Sequence, residues 1–564
     1  MRSRTDREAG TERESVPERR SYRIAVLAFF VVVALVLLSN IPLLYAYLNE
    51  PAHLKFMGIT AGVRDANFYF MMMIQGDGWC PVLRNYFATG EPDTIYHGFF
   101  WFLLGKISHA LGVGNLIVYH AARVAATVLF VPAAYYLASR FLPTTRERVT
   151  ALLMLSFGAG AGWVQMIRFH HTGSLPFVPA DIRTPEATSF FTLMSFPHLA
   201  IALILIGLCF AFVEASMSER KMSLAVVGGV CGLVLGLMHA VNLIVIYAAL
   251  ATFLVVWLAL VRESYPARSV ILFGSLSIWP IFYYTFLALA RPELMPQVPV
   301  RSPTPVAYIV GFAPFLILSA VHAGKLVVQR ARSRKDILLI CWIVSNSLLL
   351  YSYPLLLQEG RALLGLQMPL VMLSSRAVFD TILPATGLDW QKAGSSSKKL
   401  LATSLVCIII AFTFPSTCYN IFQRVSRLKH YPEAFSLTQE EFDALDFLRA
   451  TPGTGIVLSC ERIGSYVPRL TARESFLGQY DLPSRDSRVD AAGAFFASDT
   501  AESVRREILE ENHIGFIFYG RHEREMGDFS PTQARYLKLI FHRSSVDIYR
   551  YEPQDSLGKK KAVP

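Results

Sequence analysis

A few short stretches of this sequence carry residues able to do chemistry. The first is Arg64-Asp65-Ala66-Asn67-Phe68-Tyr69, followed by Asp77 and Tyr96-His97. All lie in a loop of about fifty residues joining two apolar blocks, far longer than an ordinary connection. A carboxylate such as Asp65, just outside an apolar block, suits a general base or a metal ligand. The plainer reading is a solvated acid paired with Arg64. The second stretch is Asp181-Ile-Arg-Thr-Pro-Glu186, followed by Ser195-Phe-Pro-His198. Glu186 follows Pro185, so it also suits the first turn of a helix, where the dipole favours an acid. His198 and His239 stand at the ends of apolar blocks, where an ionisable side chain is a functional candidate and a satisfied packing residue is the alternative. The last stretch is Gln358-Glu-Gly-Arg361. A planar guanidinium at headgroup depth suits a lipid phosphate; snorkelling, or a pair with Glu359, is the alternative. Arg291 and Arg301 are weaker versions of the same idea. The sequence contains no Walker lysine loop, no GxGxxG opening a helix, no HExxH and no GxSxG, so soluble nucleotide chemistry has no visible site.

The elements that must position these residues are membrane helices. Apolar residues make up 53% of the 564-residue chain and charged residues 17%, well below the quarter usual in soluble domains. Blocks such as 24–39, 199–213, 241–261 and 400–414 are nearly free of charge, and lipid leaves helix as their way to satisfy the backbone. Spans are expected near 24–48, 115–140, 149–167, 190–214, 222–240, 241–261, 269–290, 306–328, 336–353, 364–384 and 400–420, about eleven in all. Alternate loops are basic, with Arg140/Arg146/Arg148, Arg220/Lys221, Arg262/Arg268, Arg330/Arg332/Arg334/Lys335 and Lys392/Lys398/Lys399. That pattern predicts a cytoplasmic N-terminus and an extracytoplasmic C-terminal domain. It also accounts for the net charge of +11 without nucleic acid. The seven cysteines lie mostly inside apolar blocks and form no disulfide framework. Gly228, Gly232 and Gly236 recur every four residues, a spacing for close helix approach.

Residues 1–23 read as a disordered cytoplasmic N-terminus, residues 24–424 as the transmembrane part, and 425–564 as an extracytoplasmic α/β domain with a short basic tail. In that last part Thr438-Gln-Glu-Glu441 is a capping box opening a helix. Strands are expected at Gly455–Cys460, His513–Tyr519 and Ser545–Tyr551, with helices at Asp499–Glu511 and Thr532–Ile540.

This pattern resembles the GT-C superfamily of membrane glycosyltransferases, especially the bacterial group similar to protein mannosyltransferases and lipid A aminoarabinose transferases. The resemblance is carried by Arg64-Asp65…Tyr69, Tyr96-His97, Tyr119…Arg123, Thr184-Pro-Glu186…Phe196-Pro-His198, His239, Glu359-Gly-Arg361 and the tail segments Gly455-Ile-Val-Leu and Ile514–Gly520. It implies an all-α polytopic membrane bundle with a small α/β domain outside an inner membrane. It also implies inverting transfer of a sugar from a polyprenyl-phosphate donor to a hydroxyl of a glycan, lipid or protein acceptor. Asp65 and Glu186 would then be catalytic, with Arg64, Tyr69, Tyr96, His97, His198, His239 and Arg361 binding substrate. Many relatives have paired acids where this chain has Asp65-Ala66, so a divalent metal with Asp65 as ligand stays open, and no other cofactor is implied. A transporter or flippase, or a catalytically silent binding protein of the same fold, is the alternative. Internal repeats would favour transport, and none is evident.

Overall fold

A computed structural model describes residues 5–88, 94–95, 98–292, 299–388, 396–479 and 484–553, with side chains from Tyr22 onward. The chain divides into two compact units, Met1–Ile41 with Ala121–Ile281 and Val300–Gln423, and Pro42–His120 with Phe282–Pro299 and Arg424–Pro564.

Among the described residues eight helices are long and apolar enough to cross a membrane, Tyr22–Leu48, Asn115–Phe141, Thr145–Thr172, Pro197–Glu219, Ala240–Val261, Pro305–Gln329, Glu359–Ala385 and Ser396–His430. Tyr265–Ser277 and Trp279–Ala290, bent by 48°, make up to a ninth. The chain is thus a multi-pass membrane protein. The segments expected to span near 222–240 and 336–353 are helices of 17 and 16 residues, cut short where His239 leaves helical geometry and where turns follow Leu349. The polar N-terminus, expected to be disordered through residue 23, is helical from Thr5. The long apolar helix after it supplies the nucleus, so adding polar turns needs propagation alone.

In the first unit the small-residue stripe does what its spacing suggests. A Cβ on Gly232 would stand 2.8 Å from Cβ of Ser277 and 3.0 Å from the Phe273 ring, so helix Met222–Met238 lies almost backbone-to-side-chain against Tyr265–Ser277. The third span is not one rod. Thr145–Phe157, started by the Thr144–Glu147 capping box, stops at Gly158, and Gly162–Thr172 begins a new helix. A break at membrane depth is tolerated when neighbours satisfy the freed backbone. Here Ala159 N–H donates to Thr413 O, Ala161 N–H to Val310 O and Gly162 N–H to Asp181 Oδ2, while Gly158 O accepts from Gln367 Nε2. Near the end of Pro197–Glu219 the fully buried Glu214 meets Arg140, Arg334 and Lys335 at 3.2, 3.6 and 3.8 Å.

The second unit holds the small sheet domain. Strands β1 (Leu54–Phe56) and β4 (Ser436–Thr438) pair antiparallel, as do β2 (Leu83–Arg84) and β3 (Thr94–Ile95). The main sheet has the order β5-β6-β8-β7, from β5 (Ile456–Leu458), β6 (Ile514–Tyr519), β7 (Leu537–Arg543) and β8 (Val546–Tyr551). β5 and β6 run parallel and the rest antiparallel. Side chains alternate across it, as a pleat requires. Phe516, Phe518 and Ile548 pack under helices Gln439–Ala450 and Glu461–Thr471. Ile517, Tyr519 and Tyr549 pack under Arg485–Phe496 and Glu502–Glu511. Thr438 and Glu441 form the expected capping box. One expectation fails: Thr532–Ile540 is not a helix but a short turn, Pro531–Gln533, followed by β7. Pairing with β8 holds it extended, and a register shift between Leu539 and Phe541 puts Leu537 in one core layer and Phe541 in the other.

Candidate functional site

In the first unit four of the singled-out residues come together. Glu359–Leu363 is a 3-10 turn leading into the buried helix Gln367–Ala377. The turn is held by its backbone: Asn242 Nδ2 donates to Arg361 O at 2.9 Å, Asn346 Nδ2 to Ala362 O at 2.8 Å, and Gly360 N–H to Val300 O at 2.9 Å. Buried Glu359 accepts from the Tyr353 and Ser302 amides at 2.8 and 3.4 Å, so it holds the loop and is not the partner of Arg361. That partner is Glu186, whose Oε1 accepts from Arg361 Nη1 at 2.7 Å; the carboxylate side chain is 9% exposed and the guanidinium 29%. Glu186 sits in the turn Pro185–Ala187, behind Pro185 as its spacing suggests. His198, in the first turn after Pro197, stacks on His239 with ring centroids 5.2 Å apart. His239 Nε2 is buried without a hydrogen-bond partner among the described residues. Arg301 lies over the Tyr353 ring at 3.4 Å.

Asp181, in the stretch that carries Glu186, is fully buried against the broken third span. Burial pushes its carboxyl up to about 7, against hydrogen bonds from Ser416 and the Gly162 and Gly160 amides that pull it down. Asn420 Nδ2 donates to its backbone oxygen at 2.9 Å.

In the second unit Asp65 occupies the first turn of helix Val63–Met73, partly buried, behind Gly62 in a left-handed conformation at φ 53°. Arg64 pairs with Glu461 at 3.5 Å. Tyr69 stacks on Trp101 with centroids 4.1 Å apart. The helix is clamped by Glu461–Thr471. Arg469 Nη1 donates to Asn67 Oδ1 at 2.9 Å and its Nη2 to Met57 O at 2.7 Å, Asn67 Nδ2 donates to Ser465 Oγ at 3.2 Å, and the guanidinium lies 4.2 Å over the Phe70 ring. Burial pushes Arg469 down to about 10, which leaves it charged at neutral pH. Sequence reasoning missed Arg469, because nothing local marks a residue whose partner is 402 positions away. Tyr96 and His97 lie outside the described residues.

A divalent ion needs several hard oxygen or imidazole ligands. Among the described residues no three His, Cys, Asp or Glu side chains gather to supply them, and no step below is routed through a metal.

No family model matches the sequence, and no curated protein does. Solved structures do. The chain is similar to an archaeal oligosaccharyltransferase, AglB from Archaeoglobus fulgidus in complex with an inhibitory peptide and a dolichol-phosphate, with 13% identity and TM-score 0.52 over 87% of this chain and 69% of that one. It is similar to the arabinofuranosyltransferase AftD from Mycobacteria, with 13% identity and TM-score 0.56 over 92% and 40%. It is similar to ArnT from Cupriavidus metallidurans bound to undecaprenyl phosphate, with 13% identity and TM-score 0.52 over 93% and 97%. All are GT-C membrane glycosyltransferases, and at this identity the likeness establishes the fold. The chain has the GT-C fold its sequence resembles, a polytopic helical bundle with a small C-terminal sheet domain.

Proposed function

We propose that this GT-C-fold chain is an inverting glycosyltransferase that moves a sugar from a polyprenyl-phosphate donor to an acceptor hydroxyl on the extracytoplasmic face of an inner membrane. One observation carries the reading: Arg361 is fixed at the start of a buried span, ion-paired to Glu186, beside two stacked imidazoles. A fixed guanidinium at that position suits a lipid phosphate, and solved proteins of this fold hold dolichol-phosphate or undecaprenyl phosphate. The alternately basic loops support a cytoplasmic N-terminus.

In this scheme Asp65 takes the proton of the acceptor hydroxyl. The freed oxygen attacks the anomeric carbon from the face opposite the phosphate, forming the new glycosidic bond with inversion. The bond from that carbon to the phosphate oxygen breaks, and its electron pair leaves on the polyprenyl phosphate, where Arg361 stabilises the charge. Glu186 holds the guanidinium in place, and His198 and His239 offer imidazole nitrogens to sugar hydroxyls. Arg64 and Tyr69 flank the base on its helix. The sugar is a hexose or a pentose, and the acceptor a glycan, a lipid or a protein.

The test replaces Asp65 by Asn in the full chain reconstituted into vesicles with a radiolabelled polyprenyl-phosphoryl sugar. Transfer is expected to fall by about 10²–10⁴-fold with yield and melting temperature unchanged. Undiminished transfer would remove Asp65 from the mechanism.

A further inference from the structure

In sheets with parallel strands, ligands favour the crevice outside the carboxyl ends of those strands. β5 and β6 are the parallel pair of the second unit. Their carboxyl ends are tied by the fully buried Glu523, whose oxygens accept from Cys460 N–H at 2.8 Å and Gly520 N–H at 2.9 Å. Over that floor lies a cleft of about 460 Å³. Its apolar side is Leu477, Val489 and Met526; its polar side is Arg64, Glu461, Arg462, His522 and Glu525. Arg64 is the neighbour of Asp65 on the same helix turn, so the cleft opens beside the proposed base.

The wall chemistry selects the occupant. The cations already have carboxylates: Arg64 and Arg485 share Glu461 at 3.5 and 2.7 Å, Arg485 also holds Asp486 at 3.1 Å, Arg462 holds Glu441 at 2.8 Å, and His522 meets Glu525 at 3.1 Å. The cleft therefore presents no surplus positive charge to attract an anion. It presents fixed donors next to fixed acceptors, which suits groups that both give and accept hydrogen bonds, with an apolar strip for a CH face. Those are the properties of a neutral sugar. The Cys460 thiol is no nucleophile, since burial and the adjacent Glu523 push its ionisation well up.

We propose that this cleft is the acceptor subsite and that it takes a neutral, hydroxyl-rich glycan, whose reacting hydroxyl is thereby presented to Asp65. The assignment deepens the transferase reading and rests on Asp65 as base.

The experiment presents the full chain, in nanodiscs, to a printed panel of neutral oligosaccharides and the same sugars bearing phosphate or carboxylate. Retention on at least one neutral oligosaccharide is expected. It should weaken tenfold or more in Val489→Trp, which fills the cleft, and in Glu525→Gln, an exposed change that leaves the fold intact. His513→Ala is the control, in a separate cleft of about 700 Å³ that also borders Ile456 and Gly515 at the opposite strand ends, and should bind normally. No retention, retention of charged sugars alone, or unchanged retention in both cleft variants overturns the proposal. Asp65→Asn separates the two claims: it should keep glycan retention while losing transfer. If it transfers normally, the base assignment falls and the cleft stands on its binding; if it is inactive and no variant or parent retains sugar, the cleft falls and the base stands.

Discussion

Arg361 shows what a single side chain can be made to do by its surroundings. One Nη is committed to Glu186, which fixes the plane of the fork. A lysine would keep the charge and lose the fork. Arg361→Lys is expected to lower transfer by about 10²-fold, with a raised KM for the lipid donor, read from initial rates against donor concentration. Full activity in that variant would mean that charge alone suffices. Both residues stood out in the sequence by type, but their pairing did not, because 175 positions separate them and the obvious local partner, Glu359, is occupied by amides. Asp181 makes a second prediction at this scale. Its folded-state carboxyl is raised from 3.8 to about 7, so its contribution to stability is fully present below about pH 4, where both states are protonated, and is lost as pH rises through about 7. The displacement corresponds to about 4 kcal/mol. Melting of the purified chain should therefore be lower at pH 8 than at pH 5. Asp181→Asn should narrow that difference, and an identical pH profile in the variant would sink the claim.

At the scale of elements, the spans were legible wherever composition alone decides. Blocks of apolar residues had to be helical, and the helices Pro197–Glu219, Ala240–Val261 and Pro305–Gln329 lie close to where they were expected. Breaks were not legible, because a break in a membrane helix depends on which neighbour can take the freed amides. Residues 158–162 read as part of one span, yet the chain unwinds there because Thr413, Val310, Asp181 and Gln367 stand ready from elsewhere in the sequence. Likewise Thr532–Ile540 looked helical until β8 offered it a strand partner. The break should be intolerant of bulk. A Cβ on Gly160 would fall 1.7 Å from the carbonyl oxygen of Gly311, a backbone atom that cannot rotate away. Gly160→Ala should destabilise the chain by about 1–3 kcal/mol or more and reduce membrane yield. Gly324→Ala, a helical site with nothing within 4 Å, should be neutral or stabilising by up to about 1 kcal/mol. Fluorescence size-exclusion melts of the two variants check the contrast.

For the whole molecule, the sheet domain is a product of distant segments and not of the tail alone. β1 supplies the strand that pairs with β4. Met57 and Val63 enter the core beneath Phe516 and Ile548. Tyr86 O accepts from Ser475 N–H, and Arg488 donates to Phe87 O. Arg469 is half-buried against Asn67, Met57 and Phe70. Removing residues before 425 takes Met57 and Val63 out of that core, and losing a single large buried side chain already costs about 2–5 kcal/mol. A domain of this size has a total stability of only about 5–15 kcal/mol. A soluble fragment of residues 425–553 is therefore expected to melt without a cooperative transition in urea, with weak near-UV dichroism. A fusion placing residues 50–95 ahead of the same fragment should melt cooperatively, because it restores the strand, the clamp and the core residues together. A sharp transition in the unfused fragment would show that the loop contributes position and not stability; the helix bearing Asp65 would then be docked onto a finished domain instead of completing it.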